Sequence, residues 1–218
     1  MDAQIDHTTG LFMLREGQSL EIYSTDMARE DLTTGNPVFN ILQHYCGIHW
    51  HRVPVDSGKP FPVIGAGELT FTATPVASKP PPYSPHRERP RPGDNIGVGI
   101  SDAKTGRSLF YAPGLVEIEP HVRRFLEQAD CVMVDGTFWT DDEMIRLGVS
   151  KKRAQDIGHL PQSGAGGMIE VLKSLKASRK VLIHINNTNP ILNEDSPERH
   201  ELESLGIEVA YDGMDITL

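Results

Sequence analysis

The sequence predicts a layered α/β sandwich built around a single core. Alternating apolar and polar residues predict strands in the first half of the chain, whereas helical and strand patterns alternate in the second half. The chain has 218 residues, of which 38% are hydrophobic, and this is enough to form one full-sized core. We therefore expect one domain that spans residues 1–218.

The elements of the first half begin with a strand at Leu20–Ser24, where apolar and polar residues alternate. Asp26 offers an N-cap to a short helix, and Asn36-Pro37 offers a cap and a first position to another helix. A second alternating strand covers Glu68–Ala73. The segment Lys79–Pro92 contains six prolines in fourteen residues, which predicts a stiff, extended loop.

A hairpin opens the next part of the chain, with strands at Asn95–Ser101 and Ser108–Tyr111 around the turn Lys104-Thr105-Gly106. Helices and buried strands then alternate. The predicted segments are an amphipathic helix at Val122–Ala129, a strand at Cys131–Asp135, a helix opened by the capping box Thr140–Glu143, a helix striped by Met168, Ile169, Leu172 and Leu175, a strand at Lys180–His184, a helix from Ser196 to Gly206, and a final strand at Ile207–Tyr211.

Composition and charge exclude several classes of function. The net charge of −9 would repel a nucleic-acid backbone, and the basic residues Arg87, Arg89 and Arg91 are interrupted by prolines, as in a solvated loop. The sequence has no apolar run of the ~20 residues that a membrane span requires, and no signal-peptide pattern. Two cysteines suit a reducing cytoplasm better than a disulfide scaffold, so we expect an acidic cytoplasmic protein.

Three separated segments carry side chains that could bind one metal ion. Asp6-His7 lies near the start, Asp135 ends a buried strand, and His184 ends another. An unpaired carboxylate in an apolar interior is very costly, so Asp135 needs a partner. Alone, Asp135 would more simply cap a loop or pair with an arginine. Together with His184 and the Asp6-His7 pair, a shared metal is the better interpretation.

The position of Met1 bears on the completeness of this site. A loop that carries metal ligands needs a strand before it, and Met1 stands where that strand should be. We therefore expect the larger part of a metalloprotein whose N-terminal strands are absent. Missing strands would expose a sheet edge, which favours formation of a homodimer.

Two further histidine segments are candidates for chemistry. His159, in Gly158-His-Leu-Pro161 before a predicted helix, could orient a ligand or face substrate, and a plain surface histidine is about equally plausible. His49 and His51 would share one strand face and form a rival zinc site near Cys46. A partly buried strand edge, with histidine and tryptophan on opposite faces, is the stronger interpretation of that segment.

Two loops have both a functional and a structural interpretation. Gly164–Gly167 opens a helix and could bind an anionic group, although close helix packing explains its glycines better. In the proline-rich loop, Lys79, Tyr83, Arg87 and Arg89 could edge the pocket of an acidic substrate, and a surface loop is equally plausible.

Five motifs carry a resemblance that covers essentially the whole chain. They are Asp2-Ala-Gln-Ile-Asp-His-Thr-Thr-Gly-Leu11, Ser78-Lys-Pro-Pro-Pro-Tyr-Ser-Pro85, Asp135-Gly-Thr-Phe-Trp139, Gly158-His-Leu-Pro161 and His184-Ile-Asn-Asn-Thr-Asn-Pro190. With them the chain resembles the PQQ-synthesis B family of the metallo-β-lactamase superfamily. The resemblance implies a four-layer αββα sandwich, incomplete at its N-terminus because the family's cysteine-rich, zinc-binding N-terminal segment has no counterpart here.

The resemblance also implies which metal site remains. The opening is similar to the superfamily motif His-x-His-x-Asp-His, with Asp2 and Gln4 at the first two histidine positions, and the middle histidine falls near Ser78. The first metal site therefore lacks its ligands. The second set is retained as Asp6, His7, Asp135 and His184, while Asp2, Gln4 and His159 would orient water, ligands or substrate.

The implied activity follows from that remaining site. Histidines with carboxylates and open positions suit non-haem Fe(II), with Zn as the alternative metal. The family resemblance implies a hydroxylase in pyrroloquinoline quinone (PQQ) biosynthesis that acts with O2 on the tyrosine ring of a peptide-derived Glu-Tyr precursor, alongside other PQQ-biosynthesis proteins.

Two other functions stay open. The first is a non-catalytic carrier that assists transport of PQQ or its precursor to the periplasm. The second is a metal-dependent hydrolase or RNA-processing nuclease of the superfamily. The negative charge and the absence of the early histidines count against the second, because a dinuclear hydrolase needs both metals to position its water.

Overall fold

The computed structural model of the chain describes residues 1–55 and 58–218. Its α-helices are α1 Ile5–Thr8, α2 Asp26–Thr33, α3 Val38–Leu42, α4 Pro120–Gln128, α5 Glu143–Arg146, α6 Met168–Ser174 and α7 Pro197–Ser204. Its strands are β1 Leu20–Ser24, β2 Ile48–Arg52, β3 Pro60–Phe61, β4 Leu69–Pro75, β5 Ile96–Asp102, β6 Ser108–Ala112, β7 Cys131–Asp135, β8 Arg179–Ile183 and β9 Glu208–Val209. Short 3-10 turns lie at Thr9–Leu14, Gln155–Ile157 and Pro190–Leu192.

The strands form two sheets. The smaller sheet is the parallel pair β1-β2, and the larger has the order β3-β4-β5-β6-β7-β8-β9. The larger sheet is antiparallel from β3 to β6 and parallel from β6 to β9. The parallel half corresponds to the alternating helices and strands predicted for the second half of the chain, because parallel neighbours need crossover connections.

Three apolar clusters separate four layers. One, centred on Phe110 and Leu182, packs α4, α6 and α7 against the larger sheet. A second, around Phe39 and Leu42, packs α2 and α3 against the smaller sheet. The third, which includes Val98, lies between the two sheets. This arrangement confirms the predicted αββα sandwich. The single-domain boundary and the absence of N-terminal strands stay predictions.

The central elements follow the sequence prediction closely. Strand β7 has the predicted bounds, and the hairpin of β5 and β6 pairs Val98 with Tyr111 and Ser101 with Ser108. Its turn includes Gly106 at φ +72°, a conformation that glycine adopts without steric cost. Ser196 caps α7 as predicted, because its side chain accepts a hydrogen bond from the N–H of Arg199.

The starts of α2 and α3 and the final strand differ from prediction. Thr25, not Asp26, caps α2, since the Thr25 side chain accepts the N–H of Ala28 at 3.1 Å. Pro37 is the cap residue of α3 rather than its first position. The final strand contains only Glu208–Val209, because only these residues pair with β8.

The capping box predicted at Thr140–Glu143 does not form. Helix α5 begins at Glu143, and the Glu143 carboxylate accepts the N–H of Trp139 at 2.7 Å instead of capping the helix. Its other oxygen accepts the hydroxyl of Thr188. The glutamate is thus used to join two loops beside the candidate site. Within the described residues, no helix is long and apolar enough to cross a membrane.

Candidate metal centre

The centre lies at the carboxyl ends of two neighbouring parallel strands. Strand β7 ends in Asp135, which pairs with Ile183 of β8, so His184 follows directly at the same edge of the sheet. The N-terminal segment reaches this edge because the N–H of Ile96 donates to the carbonyl oxygen of Met1 at 3.0 Å. Helix α1 then brings its polar side chains over the strand ends.

Asp6, His7 and His184 form the first group of side chains that could hold a metal ion. One ligand atom from each lies within 4.8 Å of the others. Oδ2 of Asp6 is 3.7 Å from Nε2 of His7 and 3.7 Å from Nε2 of His184. The two imidazole rings meet edge to face, with centroids 4.9 Å apart. An ion lying among these three atoms would have two nitrogen ligands and one carboxylate ligand.

Asp2 fixes the orientation of His7. Its Oδ1 lies 2.7 Å from Nδ1 of His7, so Nδ1 carries the proton and Nε2 is free to bind a metal. The hydrogen bond to Asp2 raises the pKa of His7, aided by the charges of Asp2 and Asp6, although burial acts the other way. Burial acts to raise the pKa of Asp2, but the hydrogen bond and charge of His7 outweigh it, and the pKa of Asp2 is lowered.

His184 has an unusual backbone conformation. Its φ is +62°, and it is the one non-glycine with positive φ among residues 1–55 and 58–218. Such a conformation costs energy and persists where surrounding contacts enforce it, often at functional sites. Burial lowers the pKa of His184, and the neighbouring His159 and His7 lower it further, against the opposing charge of Asp135. The lowered pKa favours the neutral imidazole, which is the form that binds a metal.

Thr137 links His184 to Asp135. Its Oγ1 lies 2.7 Å from Nδ1 of His184 and 2.6 Å from Oδ1 of Asp135. Since the carboxylate can only accept, the hydroxyl donates to Asp135 and accepts from Nδ1 of His184. Nε2 of His184 is then left with a free lone pair, as it is in His7.

Asp135 is fully buried and each of its oxygens has two partners. Oδ1 accepts from the N–H and the hydroxyl of Thr137, at 3.0 and 2.6 Å. Oδ2 accepts from the N–H of Leu115 at 3.1 Å and contacts Nδ1 of His159 at 2.7 Å. With His159 and His184, Asp135 forms a second group whose ligand atoms lie within 4.8 Å.

The predicted ligands thus meet around one shared residue. His184 belongs to both groups, with Asp6 and His7 on one side and Asp135 and His159 on the other. The predicted role of His159 beside a ligand agrees in position with its contact to Asp135 and with its stacking on His184 at a centroid distance of 5.3 Å. Which of these side chains bind metal stays a prediction.

The residues at the early metal positions are used differently. Gln4 donates from Nε2 to the carbonyl of Lys79 at 3.0 Å, and Ser78 donates from its hydroxyl to the carbonyl of Gly158 at 2.8 Å. Together with Asp2, both line the same cavity as the first group. Asp2 belongs to neither of the two groups of described residues that could hold a metal ion.

The sequence did not indicate the role of Thr137 or the hydrogen bonds that join the loops after β7 and β8. Thr137 lies in the motif Asp135-Gly-Thr, whose hydroxyl two residues after a strand-end carboxylate was the available signal. Asn189 donates from Nδ2 to the carbonyls of Gly136 and Thr137, at 2.9 and 3.2 Å. It joins the loops after β7 and β8, and no local pattern indicated this pairing.

A cavity of about 230 Å³ opens over the first group. It is lined by Asp2, Gln4, Asp6, His7, Ser78, Pro82, Arg87, Asn95, Gly114, Lys152, Ile157, His159 and His184. Arg87 comes from the proline-rich loop and is anchored by a hydrogen bond to the carbonyl of Pro80. The ammonium group of Lys152 makes no hydrogen bond or ion pair with the part of the chain that the structure describes. The cavity therefore combines a metal-binding floor with two cationic groups.

The histidines of β2 form a separate, exposed arrangement. His49 contacts one oxygen of Glu21 through Nδ1 at 2.8 Å, and His51 contacts the other through Nε2. Trp50 points the other way and donates to the hydroxyl of Ser24 at 2.9 Å. The carboxylate therefore already serves both imidazoles, as expected for a strand edge with histidine and tryptophan on opposite faces.

The glycine segment before α6 is packed closely. A Cβ at Gly167 would lie 2.6 Å from the carbonyl oxygen of Gln162 and 2.8 Å from that of Ser163. These contacts support the packing interpretation of Gly164–Gly167.

Comparison with known proteins adds sequence relatives. The model of the beta-lactamase superfamily domain matches residues 1–185. The coenzyme PQQ synthesis protein B of Methylobacillus flagellatus is 64% identical over 219 residues, which are 100% of this chain and 72% of that protein. The protein of the same name from an Azoarcus species is 60% identical over 220 residues, again 100% of this chain and 72% of that protein.

Solved structures also resemble this chain in fold. The zinc-bound PqqB of Methylobacterium extorquens superposes with a TM-score of 0.85 and 31% identity, over 100% of this chain and 71% of that one. The short form of human tRNase Z has a TM-score of 0.59 and 17% identity, over 99% of this chain and 76% of that one. At that identity the tRNase Z likeness shows the fold alone.

Proposed function

The chain belongs to the coenzyme PQQ synthesis protein B family of the beta-lactamase superfamily, and from this membership we propose that it acts in PQQ biosynthesis as a metal-dependent hydroxylase. Its substrate in this proposal is the tyrosine ring of a peptide-derived Glu-Tyr precursor. The reaction uses O2 and a reductant, and takes place in the cytoplasm.

The observation that carries the proposal is the group of Asp6, His7 and His184. Two imidazole Nε2 atoms and one carboxylate oxygen converge, and the other nitrogen of each imidazole is engaged by a polar partner. This donor set fits a non-haem Fe(II) ion with open coordination positions. When bound, Fe(II) would supply the position at which O2 is activated. The same donor set fits Zn, the metal named for the M. extorquens relative.

The remaining polar residues hold the ligands. Asp2 keeps the proton of His7 on Nδ1, and Thr137 does the same for His184. Asp135 accepts from Thr137 and contacts His159, so it can balance positive charge on either imidazole. We assign Asp135 as a further ligand on the buried side of His184, and His159 as the residue that orients its carboxylate through the 2.7 Å contact of Nδ1 with Oδ2.

The charge of the cavity supports an acidic substrate. Arg87 and Lys152 face the cavity, while the carboxylates of Asp2 and Asp6 are directed to His7 and to the metal position. The side-chain amide of Asn95 also lines it. Guanidinium and ammonium groups bind carboxylates strongly in partly enclosed sites. A Glu-Tyr precursor carries carboxylates that could pair with them, leaving the ring above the metal.

The early metal positions support hydroxylation over hydrolysis. Asp2 is engaged by His7, Gln4 by the carbonyl of Lys79, and Ser78 by the carbonyl of Gly158. A two-metal hydrolase requires a second ion beside the first to position its water. The polar atoms available here are tied to protein partners instead.

The experiment is anaerobic loading of the purified chain with Fe(II), followed by O2, a reductant and the Glu-Tyr precursor. We expect one iron per chain and a product that gains oxygen in the mass spectrum. The His184→Ala variant should lose both iron and product. His200→Ala, which alters an exposed histidine on α7, is the matched control and should retain both.

Other outcomes would redirect the assignment. Tight binding of PQQ by metal-free protein, without turnover of the precursor, would favour the carrier. Phosphodiesterase activity with Zn or Mn would favour the hydrolase. Stoichiometric iron in His184→Ala would show that the metal binds elsewhere.

A further inference from the structure

A second cluster of acidic side chains lies where the end of the proline-rich loop packs on α2. Asp31 of α2 and Asp94 after the loop are 0% and 1% exposed. Two contacts join the loop to the helix beside them. Thr25 donates from Oγ1 to the carbonyl of Gly93 at 2.6 Å, and Nε2 of His86 lies 2.9 Å from Oε2 of Glu30.

The carboxylates of this cluster lack partners that a buried carboxylate needs. Neither oxygen of Asp31 has a hydrogen-bond partner of ordinary geometry, and Oδ1 of Asp94 has none either. Oδ2 of Asp94 accepts the N–H of Arg91. Neither aspartate takes part in an ion pair within the described residues. By contrast, the equally buried Asp135 has four partners.

The surroundings of both carboxyls disfavour their charged forms. Burial raises the pKa of both carboxyls, and the charges of Asp94 and Glu30 raise that of Asp31 further. The Ser84 hydroxyl and then the charge of His86 act in the opposite direction on Asp31, whereas the N–H of Arg91 and the charges of His86 and Arg91 do so on Asp94. His86 is the buried base beside them, and it already contacts Glu30.

The apolar surroundings make this arrangement costly without a ligand. Ala28 and Leu32, on the same helix face as Asp31, belong to the apolar cluster under the smaller sheet. Unpaired buried carboxylates cost several kcal/mol, so they are paired, protonated or bound to a metal. The three carboxylate oxygens that lack hydrogen-bond partners are of the ligand type that a hard cation prefers.

We propose that Asp31 and Asp94 bind a structural divalent cation of the Ca²⁺ or Mg²⁺ class that fastens the proline-rich loop to α2. Oxygen donors dominate this cluster, whereas imidazoles dominate the metal centre, so the two sites take different metals. Because the loop carries Pro82 and Arg87 to the cavity, the cation would also fix one wall of the substrate site. This proposal is independent of the hydroxylase assignment.

The test is thermal unfolding near neutral pH of chelator-treated protein, with and without millimolar CaCl2 or MgCl2. Since a ligand that binds only the folded state stabilises it, we expect either salt to raise the Tm by about 5 °C or more. Asp31→Asn and Asp94→Asn should show no rise. In chelator, each of these variants should also have a higher Tm than the wild-type protein, because each lacks one buried carboxylate charge. Asp94→Asn decides the matter if Asp31→Asn does not fold.

Two controls separate this site from others. Asp195→Asn, at an exposed aspartate, should keep the full rise. His184→Ala should also keep it, since the cation does not act at the metal centre. A wild-type Tm that neither salt changes, or a rise that disappears in His184→Ala, would overturn the proposal. So would a rise that survives in both Asp31→Asn and Asp94→Asn.

Discussion

Nδ1 of His7 lies 2.7 Å from Oδ1 of Asp2, five residues earlier in the chain. The family resemblance predicts a histidine ligand of a first metal at the position of Asp2. Here a carboxylate occupies that position and holds the imidazole of His7, which is itself a predicted ligand.

Replacing Asp2 with Asn should weaken metal binding without removing a ligand. The amide can still contact His7 but cannot stabilise its proton on Nδ1 as a carboxylate does, and loss of such a partner typically costs 10–100-fold in affinity, roughly. Competitive titration with a zinc indicator would measure the change. Asp195→Asn is the matched control, and an unchanged affinity in Asp2→Asn would contradict the orienting role.

The hydroxyl of Thr137 should contribute more to stability and metal binding than the volume of its side chain does. Thr137→Val keeps the shape but leaves Oδ1 of Asp135 and Nδ1 of His184 without their common partner. We expect about 2 kcal/mol lower unfolding free energy, as for a lost hydrogen bond to a charged group, and weaker metal binding. Thr137→Ser restores the hydroxyl and should recover both. Equal loss in Val and Ser variants would point to packing instead.

Gly158 should be intolerant of any side chain. Its φ is +98°, and a Cβ would lie 2.5 Å from Oγ of Ser78 and 2.7 Å from N of Lys79. Gly158→Ala should therefore lower the Tm and displace the neighbouring His159. Gly148→Ala is the matched control, because Gly148 has φ +70° with open space around its Cβ. A similar loss in both would mean that backbone strain alone, at about 1 kcal/mol, explains the effect.

Glu143 should stabilise the loop that carries His184. It is buried and accepts from the N–H of Trp139 and the hydroxyl of Thr188. Glu143→Ala leaves these donors unpaired, so we expect a loss of about 2–3 kcal/mol in urea unfolding and faster amide exchange in the segment 184–189. Glu201→Gln on the exposed face of α7 should change neither quantity.

Stability in chelator should fall as pH rises, because of Asp31. Burial raises its pKa above the ordinary value of 3.8, with Asp94 and Glu30 adding to the shift and Ser84 and His86 opposing it. At pH values between the two pKa values, the folded state holds a proton that the unfolded state releases. The contribution of this carboxyl to the unfolding free energy is therefore complete below the unfolded-state pKa, and it is lost as the pH rises through the folded-state pKa. Urea unfolding from about pH 4 upward should show a shallower decline in Asp31→Asn. An equal slope in both proteins would contradict this assignment.

Local patterns were sufficient for most elements of the larger sheet. Cys131–Asp135 is a short apolar run bounded by polar residues, and it forms β7 within its predicted limits. Such runs specify buried strands because both faces must be apolar. The capping box at Thr140–Glu143 failed for a different reason. Its glutamate had partners from a distant loop, which no local pattern contains.

The candidate ligands were predicted by residue type and strand position, and their grouping was not. Asp6, His7, Asp135 and His184 were selected together, yet the structure distributes them over two groups that share His184. Thr137, between Asp135 and His184, was not selected. Distances between side chains depend on strand register and backbone angles, and the φ of +62° at His184 could not be read from its neighbours in sequence.

By itself, the sequence determined the fold class, most elements of the larger sheet and the family, and it selected candidate metal ligands by residue type, because apolar periodicity and residue chemistry are local properties. Only the tertiary structure decided that Asp2 supports His7, that Thr137 joins Asp135 to His184, and that three carboxylate oxygens of Asp31 and Asp94 are buried without hydrogen-bond partners. These facts depend on which distant segments meet. The sequence does not show whether water, a histidine or an apolar core surrounds a given carboxylate. These surroundings set the free energy of its charged form.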